Sequence, residues 1–202
     1  KKENIATWGF SEEQKSWTWP GLEGKKMKVN VYTRSQVVKL ILNGKTIAEQ
    51  TVPAGSITAA FEIEYQPGTL VAKGFDGGKE TCVTTLATTG QPVGIRLVAD
   101  RNTIKADLND LAYVSVEIVD KKGNVVPWVD GMEVTFELTG NATITAVGNG
   151  SASDMSSFQQ NHKKVFQGRG LVIIRPNGNE GTVSLNATAT GLKDGVVQIT
   201  MK

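Results

Sequence analysis

The chain has 202 residues, 39% of them hydrophobic and 21% charged, with a net charge of +2. That balance excludes a disordered chain, and no apolar run approaches the roughly 20 residues a membrane-spanning helix needs. Basic residues are scattered as pairs (Lys25-Lys26, Lys121-Lys122, Lys163-Lys164) rather than gathered on one face, which argues against nucleic-acid binding.

The length suits one large domain or two domains of about 100 residues each. Lys1-Lys2-Glu3 leads into polar residues without the apolar stretch of a signal peptide, and with no initiator Met the sequence reads as a piece of a longer protein. Three tryptophans, Trp8, Trp17 and Trp19, cluster near the start. From Met27 the apolar period is two: Met27, Val29, Val31 and Thr33 share one face. Asn43-Gly44 joins Val37–Leu42 to Lys45–Val52 and is a strong hairpin signal, because both positions tolerate positive φ. Phe61, Ile63 and Tyr65 alternate with Glu62 and Glu64. Pro67-Gly68 marks a turn, and Gly77-Gly78 joins Thr69–Phe75 to Lys79–Thr85. The polar stretch Ala87-Thr88-Thr89-Gly90-Gln91-Pro92 divides the chain, giving expected domains of residues 1–88 and 89–202.

In the second part, Ala112, Val114, Val116 and Ile118 face one way and Tyr113, Ser115 and Glu117 the other; Val134, Phe136 and Leu138 alternate with Thr135 and Glu137. Lys122-Gly123-Asn124 is another turn. The run from Ser153 to Lys164 is mostly polar and reads as a loop or a single turn. Short half-buried strands separated by turns every 8–12 residues or so predict an all-β chain of two tandem immunoglobulin-like antiparallel β-sandwiches.

The residues that could carry chemistry are few. Glycoside hydrolysis needs two carboxylates flanking a bond about 5 Å or more apart, but Glu62 and Glu64 fall at solvent-facing positions and Glu12-Glu13 in an irregular segment. His162, the one histidine, lies in a polar stretch without a partner for nucleophilic catalysis. Asp100, Asp107, Asn109 and Asp110 are oxygen donors of the kind calcium takes, yet they lack the loop spacing of a calcium-binding hand, and turn capping is the better reading. Cys82 is the single cysteine, so neither an intrachain disulfide nor a cysteine-based zinc site is available. No cofactor, no metal and no catalytic residue is expected. Gly148-Asn149-Gly150 and Gly168-Arg169-Gly170 are not followed by a helix, so they read as tight loops rather than phosphate cradles. The tryptophans remain: Trp8, Trp17, Trp19 and Trp128 could stack on sugar rings. Trp17 and Trp19, one residue apart, would face the same way on a strand, and packing in a sandwich core or an interdomain seam is favoured over sugar binding.

Several strings resemble family 2 glycoside hydrolases, in particular the long β-galactosidase-like enzymes of Bacteroides-type bacteria. In the first half they are Trp17-Thr18-Trp19-Pro20-Gly21-Leu22-Glu23-Gly24-Lys25, Val29-Asn30-Val31-Tyr32-Thr33, Leu40-Ile41-Leu42-Asn43-Gly44-Lys45 and Gly74-Phe75-Asp76-Gly77-Gly78-Lys79. In the second they are Asp110-Leu111-Ala112-Tyr113-Val114, Val119-Asp120-Lys121-Lys122-Gly123-Asn124, Val147-Gly148-Asn149-Gly150 and Phe166-Gln167-Gly168-Arg169-Gly170. Ser16, Arg34 and Leu108-Asn109 depart from the family's usual residues. The resemblance implies that residues 1–88 are the sandwich that follows a catalytic (β/α)₈ barrel and residues 89–202 an invasin-like immunoglobulin-type C-terminal domain. It also implies that the catalytic glutamates lie in the barrel, outside this chain.

On that resemblance the chain is expected to be non-catalytic and accessory, with the barrel and other domains of its parent as partners and polysaccharide as a further candidate. The location it implies is periplasmic, secreted or at the bacterial cell surface. The alternatives are a carbohydrate-binding module using exposed tryptophans, and a cell-surface adhesion module of the invasin type.

Overall fold

Strictly alternating apolar residues can bury one face of a strand only against a second layer, and the computed structural model, which describes residues 13–202, shows that solution twice over. The chain divides into one unit ending at Thr88 and another beginning at Thr89. Among the described residues there is no α-helix, and therefore no helix long and apolar enough to cross a membrane.

The first unit contains β1 (Lys26–Tyr32), β2 (Val37–Leu42), β3 (Lys45–Thr51), β4 (Thr58–Glu64), β5 (Thr69–Asp76) and β6 (Lys79–Ala87). β1 and β4 form a two-stranded sheet, and the other four make a sheet in the order β3-β2-β5-β6. All pairings are antiparallel. The β2–β3 hairpin turns through Asn43 at φ 51° and Gly44 at φ 83°, the left-handed pair that a two-residue turn requires. Asn43 also ties this turn to the next one: its Oδ1 accepts the Thr69 N–H at 2.9 Å and its Nδ2 donates to the Pro67 carbonyl at 3.1 Å. Val38, Leu40, Phe61, Ile63 and Leu70 fill the space between the sheets.

The second unit contains β7 (Gly94–Ala99), β8 (Thr103–Ile104), β9 (Ala112–Val119), β10 (Glu133–Thr139), β11 (Ala142–Gly148), β12 (His162–Lys164), β13 (Arg169–Pro176), β14 (Gly181–Thr188) and β15 (Gly195–Met201). One sheet has the order β12-β10-β14-β15-β8 and the other β11-β13-β9-β7. The short β15–β8 pairing and the isolated Gly94–Lys193 bridge are parallel; the other strand pairings are antiparallel. Ala112, Val114, Val116 and Ile118 are all completely buried, as their alternation in the sequence requires. Gly168 (φ 71°) holds a close approach between loops, since a Cβ there would stand 2.4 Å from the Val126 carbonyl oxygen.

Three expectations change. The polar run ending at Lys164 closes with a strand, β12, whose His162 pairs in register with Thr135 rather than sitting in a free loop. Trp17 and Trp19 belong to no strand. Glu117, on the polar face of β9, is buried: Arg96 from β7 and Arg169 from β13 reach its carboxylate from either side.

Candidate functional site

The four tryptophans part company. Trp8 lies outside the described residues. Trp17, 2% exposed, stands edge-on to Tyr65 with ring centroids 5.1 Å apart, and its indole N–H donates to the Gln66 carbonyl at 3.1 Å. Its own carbonyl accepts the Thr88 hydroxyl at 2.6 Å. A ring enclosed in this way has no face to offer a sugar. Trp19 is half-buried against the same core, with its backbone N–H bonded to the Tyr65 hydroxyl at 3.1 Å.

Trp128 differs: it is 38% exposed and lines an open groove of about 480 Å³ together with Pro92, Asp130, Met132, Glu133 and Thr190. The backbone that carries it is pinned. Val126 and Val129 on either side are buried in the core, and Val126 N–H donates to the Ile118 carbonyl while the Val129 carbonyl accepts Gly168 N–H. Asp130 accepts the Gln167 backbone N–H with one oxygen. Chemically the groove offers an aromatic face, hydroxyl and carboxylate hydrogen-bonding groups, and no Lys or Arg in its lining. Both carboxylates face solvent, unlike the desolvated acid that general-acid cleavage uses. The sequence showed Trp128 itself. It gave no sign of Thr190, which is brought beside it by a loop some sixty residues further on.

The other candidates are held by their neighbours. Glu62 and Glu64 are exposed on β4, with Glu62 paired to Lys26 at 3.0 Å. The Asp100–Asp110 group is a turn-capping assembly: Asp107 Oδ1 accepts the Asn109 and Asp110 N–H groups, Asp100 accepts Tyr113 N–H, and Asp110 is shared between Lys105 N–H and Arg101. The Lys105 N–H, then the Arg101 guanidinium, hold the Asp110 carboxyl below its ordinary value. Among the described residues no group of three His, Cys, Asp or Glu side chains converges to hold a metal.

Two arrangements had no signal in the sequence. Lys163, 2% exposed on β12, donates to Asp154 at 3.1 Å and to the Ser156 hydroxyl at 2.7 Å, with its ammonium 4.8 Å from the centre of the Phe158 ring. Ser156, through its hydroxyl and backbone N–H, and then Lys163 hold the Asp154 carboxyl far below its usual range. This fastens the β11–β12 loop and is structural. The second lies in the first unit, where β6 has a pairing partner only on its β5 side among the described residues. Its residues from Lys79 to Thr85 are exposed on both faces. A cleft of about 210 Å³ opens between β6 and β1, lined by Val31, Tyr32, Cys82 and Val83.

A family model described as glycoside hydrolase family 2 C-terminal domain 5 matches residues 95–198, and one described as a domain of unknown function (DUF4982) matches residues 24–82. The beta-galactosidase BoGH2A of Bacteroides ovatus is 34% identical over 184 residues, which cover 91% of this chain and 21% of that enzyme. A beta-glucuronidase of Formosa agariphila is 27% identical over 187 residues, 91% of this chain and 19% of its own. Among solved structures, a glycosyl hydrolase family 2 member from Bacteroides cellulosilyticus superposes with a TM-score of 0.92 at 36% identity, over 98% of this chain and 26% of that one. The chain thus spans about a fifth to a quarter of the length of these relatives.

Proposed function

Since the chain belongs to the glycoside hydrolase family 2 C-terminal domain 5 family, we propose that it is the accessory, non-catalytic C-terminal part of an enzyme that hydrolyses a β-galactoside or a related glycoside. Residues 1–88 are the sandwich that follows the catalytic barrel, and residues 89–202 are the terminal immunoglobulin-type domain. The β-galactoside is preferred because the beta-galactosidase relative is the more similar of the two curated enzymes above, at 34% against 27% identity. The Bacteroides relative is what supports a periplasmic, secreted or cell-surface location for the parent.

The observation that carries the scaffold role is the side of the first unit along β6, where no strand pairs beyond β6 among the described residues. Free-standing sheets protect their edge strands with charges, proline or bulges, because an unpaired row of backbone groups recruits other strands. β6 carries its charges at Lys79 and Glu80 and a register shift at Thr81, then runs Cys-Val-Thr-Thr-Leu-Ala with no charge, proline or further irregularity. Tyr32 (59% exposed) and Val83 (57%) line the cleft on this side as well. A surface of this composition suits burial against the remainder of the enzyme.

The test is made in the whole enzyme. Truncation ahead of Lys1, and separately Val83→Lys, should lower the yield of folded protein or its thermal midpoint together with its hydrolytic activity. A truncated enzyme that folded, assembled and hydrolysed substrate as before would sink the scaffold role.

A further inference from the structure

We propose that the groove beside Trp128 is a binding site for neutral oligosaccharides, a role beyond that of a scaffold and independent of it. Three features point to sugar. First, a pyranose ring has an apolar C–H face and a rim of hydroxyls, so its receptor pairs an aromatic plane with hydrogen-bond acceptors set around it. Trp128 supplies the plane, while Asp130, Glu133 and Thr190 supply the polar rim. At about 480 Å³ the groove lies within the usual size range of small-molecule sites.

Second, the tryptophan is presented rather than packed. Its neighbours Val126 (0% exposed) and Val129 (5%) anchor the segment in the core, and Gly131 N–H donates to the Val165 carbonyl at 3.0 Å. Asp130 is fixed by the Gln167 N–H. Little conformational freedom remains to be lost when a ligand arrives, and preorganisation of this kind is what lets a small contact area bind at all.

Third, the charge selects among sugars. The lining holds two carboxylates and no Lys or Arg. Hydroxyl groups donate well to carboxylates, whereas a uronic acid would bring a third negative charge against them. The site therefore takes a neutral hexose or pentose chain and discriminates against glucuronides.

The experiment uses the full 202-residue chain. Galactobiose, cellotetraose and xylotetraose serve as neutral probes and a glucuronosyl disaccharide as the acidic one, followed by tryptophan fluorescence and calorimetry. At least one neutral probe should saturate with a dissociation constant on the order of 1 mM. Trp128→Ala should weaken it about tenfold or more at an unchanged melting temperature, Trp128→Tyr should retain it, and Asp130→Asn should narrow the gap between neutral and acidic probes. If Trp128→Ala disturbs folding, Trp128→Tyr and the Asp130→Asn comparison still decide the matter. No saturation with any neutral probe up to about 10 mM, equal binding of the glucuronide, or full binding by a folded Trp128→Ala variant would each overturn the proposal.

Discussion

Replacing Trp17 by Ala separates a packing role from a sugar-binding one. The side chain is 2% exposed, and burial of a Trp removes about 150–250 Å² from water. At about 25 cal/mol per Å² this corresponds to roughly 4–6 kcal/mol of transfer free energy. Partial collapse of the site leaves an expected cost of about 3–5 kcal/mol for Trp→Ala. The first unit, 88 residues at about 0.05–0.15 kcal/mol per residue, holds roughly 4–13 kcal/mol in total. A loss near 4 kcal/mol should lower its midpoint by roughly 16–32 °C. Trp17→Phe keeps most of the apolar burial but leaves the Gln66 carbonyl without its indole donor, so it should cost only about 1–2 kcal/mol. Thermal melts by circular dichroism, with hydrogen exchange of β2 and β5 reporting on the first unit, measure both variants. A Trp17→Ala chain that melted as wild type but no longer responded to oligosaccharide would refute the reasoning, because the ring would then be serving a ligand and not the core.

Three further outcomes are expected. Gly168→Ala should destabilise the second unit by about 3 kcal/mol, because a Cβ at φ 71° meets the Val126 carbonyl oxygen; a melt within 1 °C or so of wild type would contradict this. Burial alone would raise the Asp120 carboxyl, but the N–H groups of Gly90, Asn124 and Lys122 overcome it and hold the group below its ordinary value. Its stabilisation is therefore present above the unfolded pKa of about 3.9 and is lost as pH falls through the lower folded value. Acid titration of the second unit should show this loss below about pH 4, and Asp120→Asn should remove that part of the slope. The hydroxyls of Ser35, then Thr33, hold the exposed Cys82 thiol below its ordinary value. Iodoacetamide should accordingly alkylate wild type faster at neutral pH than a folded Ser35→Ala variant, and equal rates would show that these hydrogen bonds do not persist in solution.

The strands with one dry face were legible because their chemistry is local. Alternation at Ala112, Val114, Val116 and Ile118 leaves one way to bury the apolar face, and all four are completely enclosed. The Asn43-Gly44 turn was legible for the same reason, its left-handed φ pair being a property of two adjacent residues. β12 was not: His162–Lys164 has no strand pattern of its own and is extended because β10 offers an edge to it. Glu117 and Lys163 occupy polar positions and are nevertheless buried, because partners from other strands and loops neutralise them there. The spacing of Trp17 and Trp19 favours packing, and Trp17 does go into the core, but from an irregular segment and not from a strand, held by bonds to Gln66 and Thr88.

The candidate site divides in the same way. That Trp128 lies between a proline and an Asp-Gly pair is visible in the chain; that it is the partly exposed tryptophan of a groove shared with Thr190 is not. The sequence by itself determined the all-β class, most strand faces and the tight turns, because backbone preference and apolar period act over a few neighbouring residues. The tertiary structure decided which polar side chains could be buried, which strand has no further pairing partner among the described residues, and how far Trp17, Trp19 and Trp128 are each exposed. Each of those depends on what residues distant in the chain place alongside.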